Sequence, residues 1–435
     1  MKITSNSLQW SLFKILSNLS LSIFLLLFIA FISTLGTIIE QDKPLQFYQQ
    51  NYSEASSISK ILSWKTIVFL GIDHLYSTWW FILLLIIFSM SLISCTISRQ
   101  IPILRLARKW QFFTKPNQLS YLNLKLYAKN QKMNKINNIL LFQKYYVFQR
   151  QNHGYAYKGL IGRVAPITVH ISIILILIGA IIGKTEGFVV QEFVPQGETF
   201  HLQNIIKSGQ FSYIPQDIIG KVEKFYITYN KDDSISNFFS DIYLFNSNNK
   251  QISHKVIFVN QPFRFNSLVI YQTDWDIIGI RIKFLNEKIL QLSANSIFID
   301  NNHFWITKIS NPININQNFS LLISDLSGQI YVFDSQGKLD QIVQIQDNLS
   351  MYSRSFSITD VICRTGLQIK SDPGIPIVYL GFAMLIVSTL LSYVSYSQFW
   401  FVQLNNQVYF GGNTNRALLN FEKDFIKIVK LIIKV

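Results

Sequence analysis

The run from Arg163 to Gly183, RVAPITVHISIILILIGAIIG, constrains this chain most. Between Val164 and Ile182 it holds nineteen residues without a formal charge. At 1.5 Å rise per residue that reaches about 28 Å, close to the hydrocarbon thickness of a bilayer. The run therefore predicts a transmembrane helix, and that helix carries one ionisable residue, His170. Side chains of this kind are costly at membrane depth and usually face a bundle interior or a ligand. Two readings follow for His170: a ligand-binding imidazole, or a neutral imidazole hydrogen-bonded to a neighbouring helix.

Three further runs have membrane length. Residues 19–38 form a first crossing, 79–97 a second, opened by Trp79 and Trp80 as interfacial anchors, and 375–394 a fourth, with 164–182 as the third. The first run is longer than a signal-peptide core and no clean cleavage site follows it, so it reads as a retained anchor. A composition 49% hydrophobic and 14% charged agrees with an integral membrane protein.

The net charge of +15 is unevenly placed. Residues 98–163 carry thirteen Lys and Arg and no Asp or Glu. That bias predicts a basic inside loop, and with four crossings both termini share its face: 1–18 as the N-terminal segment and 395–435 as a tail of net charge +3. The 39–78 segment is then an outer loop. Attraction to an anionic leaflet accounts for the basic charge, so no nucleic-acid partner is called for. The tail ends in FIKIVKLIIKV, with Lys427, Lys430 and Lys434 on one helix face, which predicts an amphipathic helix on the inner leaflet; an exposed strand is the alternative.

Residues 183–373, of nearly balanced charge, form the one large water-facing domain. The segments 224–230, 241–246, 255–260, 267–272, 279–284 and 329–334 are rich in β-branched and aromatic residues and separated by turn clusters. The expected fold is thus four transmembrane helices with a large β-rich domain between the third and fourth. Asp372, Pro373 and Gly374 then read as cap and first turn of the fourth helix, and Tyr393, Tyr396, Phe399 and Trp400 as an aromatic cluster at its inner end.

The chain contains no H-E-x-x-H, nucleophile elbow, P-loop or G-x-G-x-x-G, and shows no self-contained catalytic site. It has no C-x-x-C-H, and its two cysteines, Cys95 and Cys363, fall in different segments, where a disulfide between them would have to cross the bilayer. An imidazole at membrane depth is a usual axial ligand for haem iron, and His170 lies seven residues from Arg163, about 10 Å from the inner interface. His74 stands just outside the second crossing.

Seven segments in order then carry a resemblance: GTIIEQ (36–41), GIDHLYSTWWF (71–81), LISC (92–95) with Arg99 and Pro102, GRVAPITVH (162–170), VNQPFRFNSLVIYQTDW (259–275), DPGIPIVYLGF (372–382) and GGNTNRA (411–417). Together they resemble the ResB family, also called CcsB, of system II cytochrome c biogenesis. The resemblance implies a partner, CcsA, which carries the tryptophan-rich haem-handling segment. The two would form a cytochrome c haem lyase that moves haem b outward and presents it to apocytochrome c, while separate thiol-reducing proteins keep the apocytochrome reduced. It maps the family's transmembrane haem ligand onto His170 and leaves His74 a lesser exit-side candidate. Asn260, Pro262, Tyr271 and Gln272 match the outer motif, where a hairpin and core role serves equally well; Phe263 and Ser267 depart from the expected Leu and Gly. A thiol relay at Cys363 is a weaker possibility. The rival class is an assembly chaperone that scaffolds CcsA and apocytochrome without touching haem. An AT-rich residue usage adds the expectation of a plastid thylakoid membrane, or else a bacterial one, with the large domain in the lumen or periplasm.

Overall fold

The computed structural model describes residues 8–52, 63–129, 131–231, 234–284, 288–299, 302–309, 318–351 and 354–434. Residues 1–7 of the N-terminal segment and 53–62 of the predicted outer loop lie outside them. The chain divides into two compact units, residues 1–181 with 374–435, and residues 182–373.

Among its described residues the first unit contains four helices long and apolar enough to cross a membrane: α1 (Leu19–Ile38), α2 (Trp79–Ala107), α3 (Ile161–Glu186, whose last residues enter the second unit) and α4 (Ile375–Ser392). Asn18 starts α1 by accepting from the Ser20 N–H at 3.1 Å. Helix α2 runs ten residues beyond the predicted crossing, because its turn at Thr96–Gln100 is π-helical rather than a terminus. Pro102 supplies a physical reason: it offers no N–H, and its ring would press on the carbonyl four residues back. Widening the preceding turn, so that Ile101 N–H reaches the Thr96 carbonyl, lets the helix continue.

Small residues set the helix spacings. Gly381 of α4 faces Ile176 and the Ser172 carbonyl of α3, and Gly179 of α3 faces Val378. Leu25 of α1 and Phe88 and Leu92 of α2 are buried together with Ile173, Ile174 and Leu177 of α3 packed against them. Ser22 and Ser91 hydroxyls meet at 2.7 Å between α1 and α2. At the start of α2, Gln41 donates to the Ile39 and Ile72 carbonyls and accepts from the Leu75 N–H. The GTIIEQ and GIDHLYSTWWF segments are thereby stitched into one cap. Trp79 is exposed, as an interfacial anchor requires, while Trp80 donates to the Leu70 carbonyl.

The basic loop and the tail, expected as separate surface segments, build one domain. Strands Leu124–Lys129, Gln407–Thr414, Ser397–Leu404, His153–Lys158 and Tyr146–Arg150 form, in that order, a five-stranded antiparallel sheet. Residues almost three hundred positions apart pair directly, Leu124 with Gly412. The last helix, α5 (Leu418–Lys434), exists as the lysine spacing predicts. Its apolar face is not laid on a leaflet, however: Phe421, Phe425, Ile428, Val429 and Ile432 are buried in the core formed with Phe399, Phe401 and Phe410 of the sheet. A protein surface of matching shape removes that face from water and satisfies the same apolar pattern that a bilayer would.

The aromatic cluster near 393–400 is corrected for the same reason. Only Tyr393 is exposed, whereas Tyr396, Phe399 and Trp400 are buried in this domain. Tyr396 Oη donates to the Ala107 carbonyl at the end of α2 and lies 3.0 Å from Tyr155 Oη. Arg416 donates to the Ser392 carbonyl at the end of α4, so the GGNTNRA segment closes a helix terminus.

The second unit holds sixteen strands among its described residues, in sheets of seven, five and four. Its spine is the antiparallel pair Leu268–Phe284 and Arg354–Ser371. The segments 267–272 and 279–284, read as two strands, are one, because register shifts near Thr273 and Ile278 let pairing continue through Gly279. One core gathers Ile277, Ile280, Ile282 and Ile358 with Trp305, Leu321 and Val332; a second gathers Val190, Phe200, Val222, Ile242, Ile257, Ile270 and Leu367.

Asp372 and Pro373 do not begin α4. The N-cap is Gly374, without a side-chain cap bond, and the first-turn proline is Pro376. The Asp372 carboxylate lies instead where a Cβ on Gly183 would be.

Candidate functional site

His170 sits on α3 nine residues from Ile161 and sixteen from Glu186, about 14 and 24 Å from the two ends. Its half-buried imidazole faces the π-helical turn of α2. Thr96 Oγ1 lies 2.9 Å from Nδ1, and Gln100 Nε2 lies 3.1 Å from Nε2. The Thr96 hydroxyl donates its proton to the Leu92 carbonyl at 2.8 Å, so its oxygen accepts from the ring. An amide nitrogen can only donate, so His170 Nε2 accepts. With the amide nitrogen facing the ring and the Thr96 hydroxyl donating to Leu92, the imidazole is neutral and protonated at Nδ1, with its lone pair at Nε2 directed to Gln100.

This arrangement fits an iron ligand. Histidines that bind metals hold the proton on the far ring nitrogen through a neighbouring acceptor, which fixes the tautomer and aims the lone pair. Thr96 could fill that role for a metal bound at Nε2. Gln100 Oε1 is buried and has no hydrogen-bond partner among the described residues, so the amide across Nε2 is only half satisfied. The sequence segment LISC with Arg99 and Pro102 frames Thr96 and Gln100 without drawing attention to them. The available signal was their spacing: four residues apart they share a helix face, immediately before a proline that distorts the turn.

His74 lies elsewhere. It is in the short 3₁₀ turn Ile72–Ser77, half exposed, with Nδ1 3.0 Å from the Asp73 carboxylate. Seventeen residues of α2, about 26 Å, separate Trp79 near it from Thr96 at His170. The two histidines are not brought into one site.

The outer-motif residues hold structure. Asn260 takes φ 65° in the turn after the strand Gln251–Phe258, and Asn266 φ 50° in the next, so the left-handed positions fall on Asn rather than Ser267. Pro262 accepts from Lys255 Nζ at 2.8 Å, and Lys370 Nζ lies 4.7 Å from the Tyr271 ring centre. Gln272 is buried between Ser240 and Thr365, donating to Thr365 Oγ1 at 2.6 Å, which ties three strands together. Trp305 and Arg364 both donate to the Asp276 carboxylate, at 2.6 Å each.

Both cysteines are free and buried. Burial, with Asp360 and Asp276 nearby, pushes the Cys363 thiol up to about 12. A relay needs thiolate, which this environment suppresses. Among the described residues no three His, Cys, Asp or Glu side chains gather as a metal site. His170 with Thr96 and Gln100 is the arrangement in which a titratable side chain of one membrane-length helix meets polar side chains of another.

The model of the ResB-like family matches residues 19–330 and 322–426 of this chain. The chain belongs to the ResB-like family. It is 46% identical over 432 residues to the cytochrome c biogenesis protein Ccs1 of Pyropia yezoensis, covering 99% of this chain and 98% of that protein. It is 43% identical over 422 residues to Ccs1 of Rhodomonas salina, covering 96% and 95%. It is 40% identical over 420 residues to the cytochrome c biogenesis protein CcsB of Trichormus variabilis, covering 96% and 91%. The relatives span both of the compact units found here, so the basic domain and the β-rich domain belong to the family's full length.

Proposed function

We propose that this chain acts in cytochrome c biogenesis as the subunit that receives haem b at His170 and passes it, with CcsA, toward covalent attachment to apocytochrome c. Membership of the family and its relatives' names support the process. The observation that supports the haem step is the imidazole itself, held at Nδ1 by Thr96 with Nε2 turned to the Gln100 amide inside the helix bundle. His170 Nε2 would hold haem there, and the haem would supply a Lewis-acidic iron for that lone pair. Thr96 orients the ring, Leu92 of α2 packs against Ile173 and Ile174 of α3 beside it, and the small-residue contacts along α3 keep α4 close.

The orientation follows from charge. The thirteen positive charges of 98–163 and the net +3 of the tail support a stromal or cytoplasmic side for the basic domain and both termini, with the β-rich domain in the lumen or periplasm. Plastid and cyanobacterial relatives fit a thylakoid setting. On this reading His170 is nearer the basic side, at the entrance of an outward path.

One observation favours a second reading. Both ring nitrogens of His170 already have partners, so the imidazole can serve as interhelical glue in a scaffold that positions CcsA and apocytochrome without binding haem. Co-purification with CcsA separates the two. The expected result is that His170→Ala lowers haem content and the ferrous absorption band of the complex while the complex itself still assembles. Unchanged haem with impaired complex assembly would establish the scaffold reading and refute the haem step.

A further inference from the structure

Gln100 stands where a metal would. Its amide nitrogen is 3.1 Å from His170 Nε2, the only ring atom with a free lone pair once Nδ1–H is committed to Thr96. Among the described residues Oε1 is buried with no hydrogen-bond partner, an arrangement that costs free energy in a low-dielectric interior. The residue also occupies the last position of the π-helical turn, a local irregularity often found where a helix must change a contact. Thr96, at the first position of that turn, is anchored twice, to the ring and to the Leu92 carbonyl.

We propose that Gln100 is a displaceable gate on His170: its amide holds the Nε2 lone pair and must swing away before iron is coordinated, while Thr96 stays and positions the ring. The two neighbours of one imidazole thus act with opposite sign. Thr96 strengthens iron binding by fixing the tautomer and making the ligand more basic; Gln100 weakens it by competing for the same electron pair. This selects a cargo with an open axial position that can outcompete an amide, and it sets a threshold for loading that the partner or the porphyrin must overcome. The inference rests on the haem reading for its consequence, though the hydrogen bond to Nε2 can be tested without haem.

The experiment uses the full-length chain in detergent, in wild-type form and as Gln100→Leu, Gln100→Asn, Thr96→Val and Thr96→Ser, each checked for unchanged elution and helical content. The first measurement is peptide-resolved carbethoxylation of His170 by diethyl pyrocarbonate, which reports whether a ring lone pair is available. Both Gln100 variants are expected to react about five- to tenfold faster than wild type, the change expected on removing one hydrogen bond. The second is hemin titration followed at the Soret band. Gln100→Leu is expected to bind about five- to tenfold more tightly, Thr96→Val about ten- to a hundredfold more weakly, and Thr96→Ser close to wild type. A merely structural role for either residue would shift both variants in the same direction. Unchanged or slower carbethoxylation in both Gln100 variants overturns the gate. Faster carbethoxylation with no saturable hemin binding in any variant upholds the gate on the imidazole and overturns haem as the cargo.

Discussion

Replacing Phe425 by alanine tests whether the tail is part of a folded domain or an amphipathic helix on a leaflet. Phe425 is 1% exposed, its ring centre lies 5.0 Å from that of Phe399, and its edge fills the space a Cβ on Gly412 would take. Removing such a buried ring costs about 3–5 kcal/mol, from lost burial together with the cavity left behind. At 1.36 kcal/mol per decade this is roughly a 10²- to 10⁴-fold rise in the open population of the domain. Hydrogen exchange on the detergent-solubilised chain reads it directly. Amides of Ser397–Leu404 and Gln407–Thr414, paired in the sheet centre, should lose protection by that factor, while those of α1 to α4 keep theirs. Ile426, on the same helix but 37% exposed, provides the contrast: Ile426→Ala should change exchange by less than about tenfold. If Phe425→Ala leaves the two strands as protected as wild type, the helix is not packed on the sheet and the domain as described is wrong.

Two further outcomes follow from packing and burial. Gly381→Leu forces a side chain into Ile176, 2.7 Å from the position of its Cβ, and onto the Ser172 carbonyl at 3.0 Å; overpacking of about 1–3 kcal/mol should lower the thermal midpoint of the full chain by several degrees, and an unchanged midpoint would show that α3 and α4 are not this close. The Cys363 thiol titrates near 12 in the fold and near 8.5 when unfolded, so the unfolded chain releases the proton first and stability falls as pH rises from about 8.5 toward 12. In a Cys95→Ser background, alkylation of Cys363 at pH 8.5 should be at least about a hundredfold slower in the native chain than in denaturant, and Cys363→Ala should remove about 1 kcal/mol per pH unit of the decline above pH 9; equal alkylation rates would contradict the burial.

Much of the site was legible because it depends on local chemistry. A membrane-length apolar run with one imidazole declares itself, since the cost of that residue in lipid has no sequence-local remedy. The partners of His170 were not legible. Thr96 and Gln100 are common residues at an apparent helix end, seventy positions away, and only the packing of α2 against α3 brings them to the ring. In the β-rich unit, alternating patterns marked six strand segments correctly as strands, but not that two of them are one: a bulge adds a residue without ending the pairing, and nothing in composition distinguishes it from a turn.

The sequence by itself determined four apolar helices, a charge asymmetry, a β-rich insert and one histidine that must be satisfied inside the bundle. These follow from length, period and charge, each a property of a segment and its solvent. Only the tertiary structure decided that the basic loop and the distant tail share one sheet, that the amphipathic final helix covers that sheet, and that Thr96 and Gln100 hold the two faces of His170. An apolar face specifies that it must be buried but not against what, and a polar group specifies that it needs a partner but not which; both choices are made by the parts of the chain that folding brings alongside.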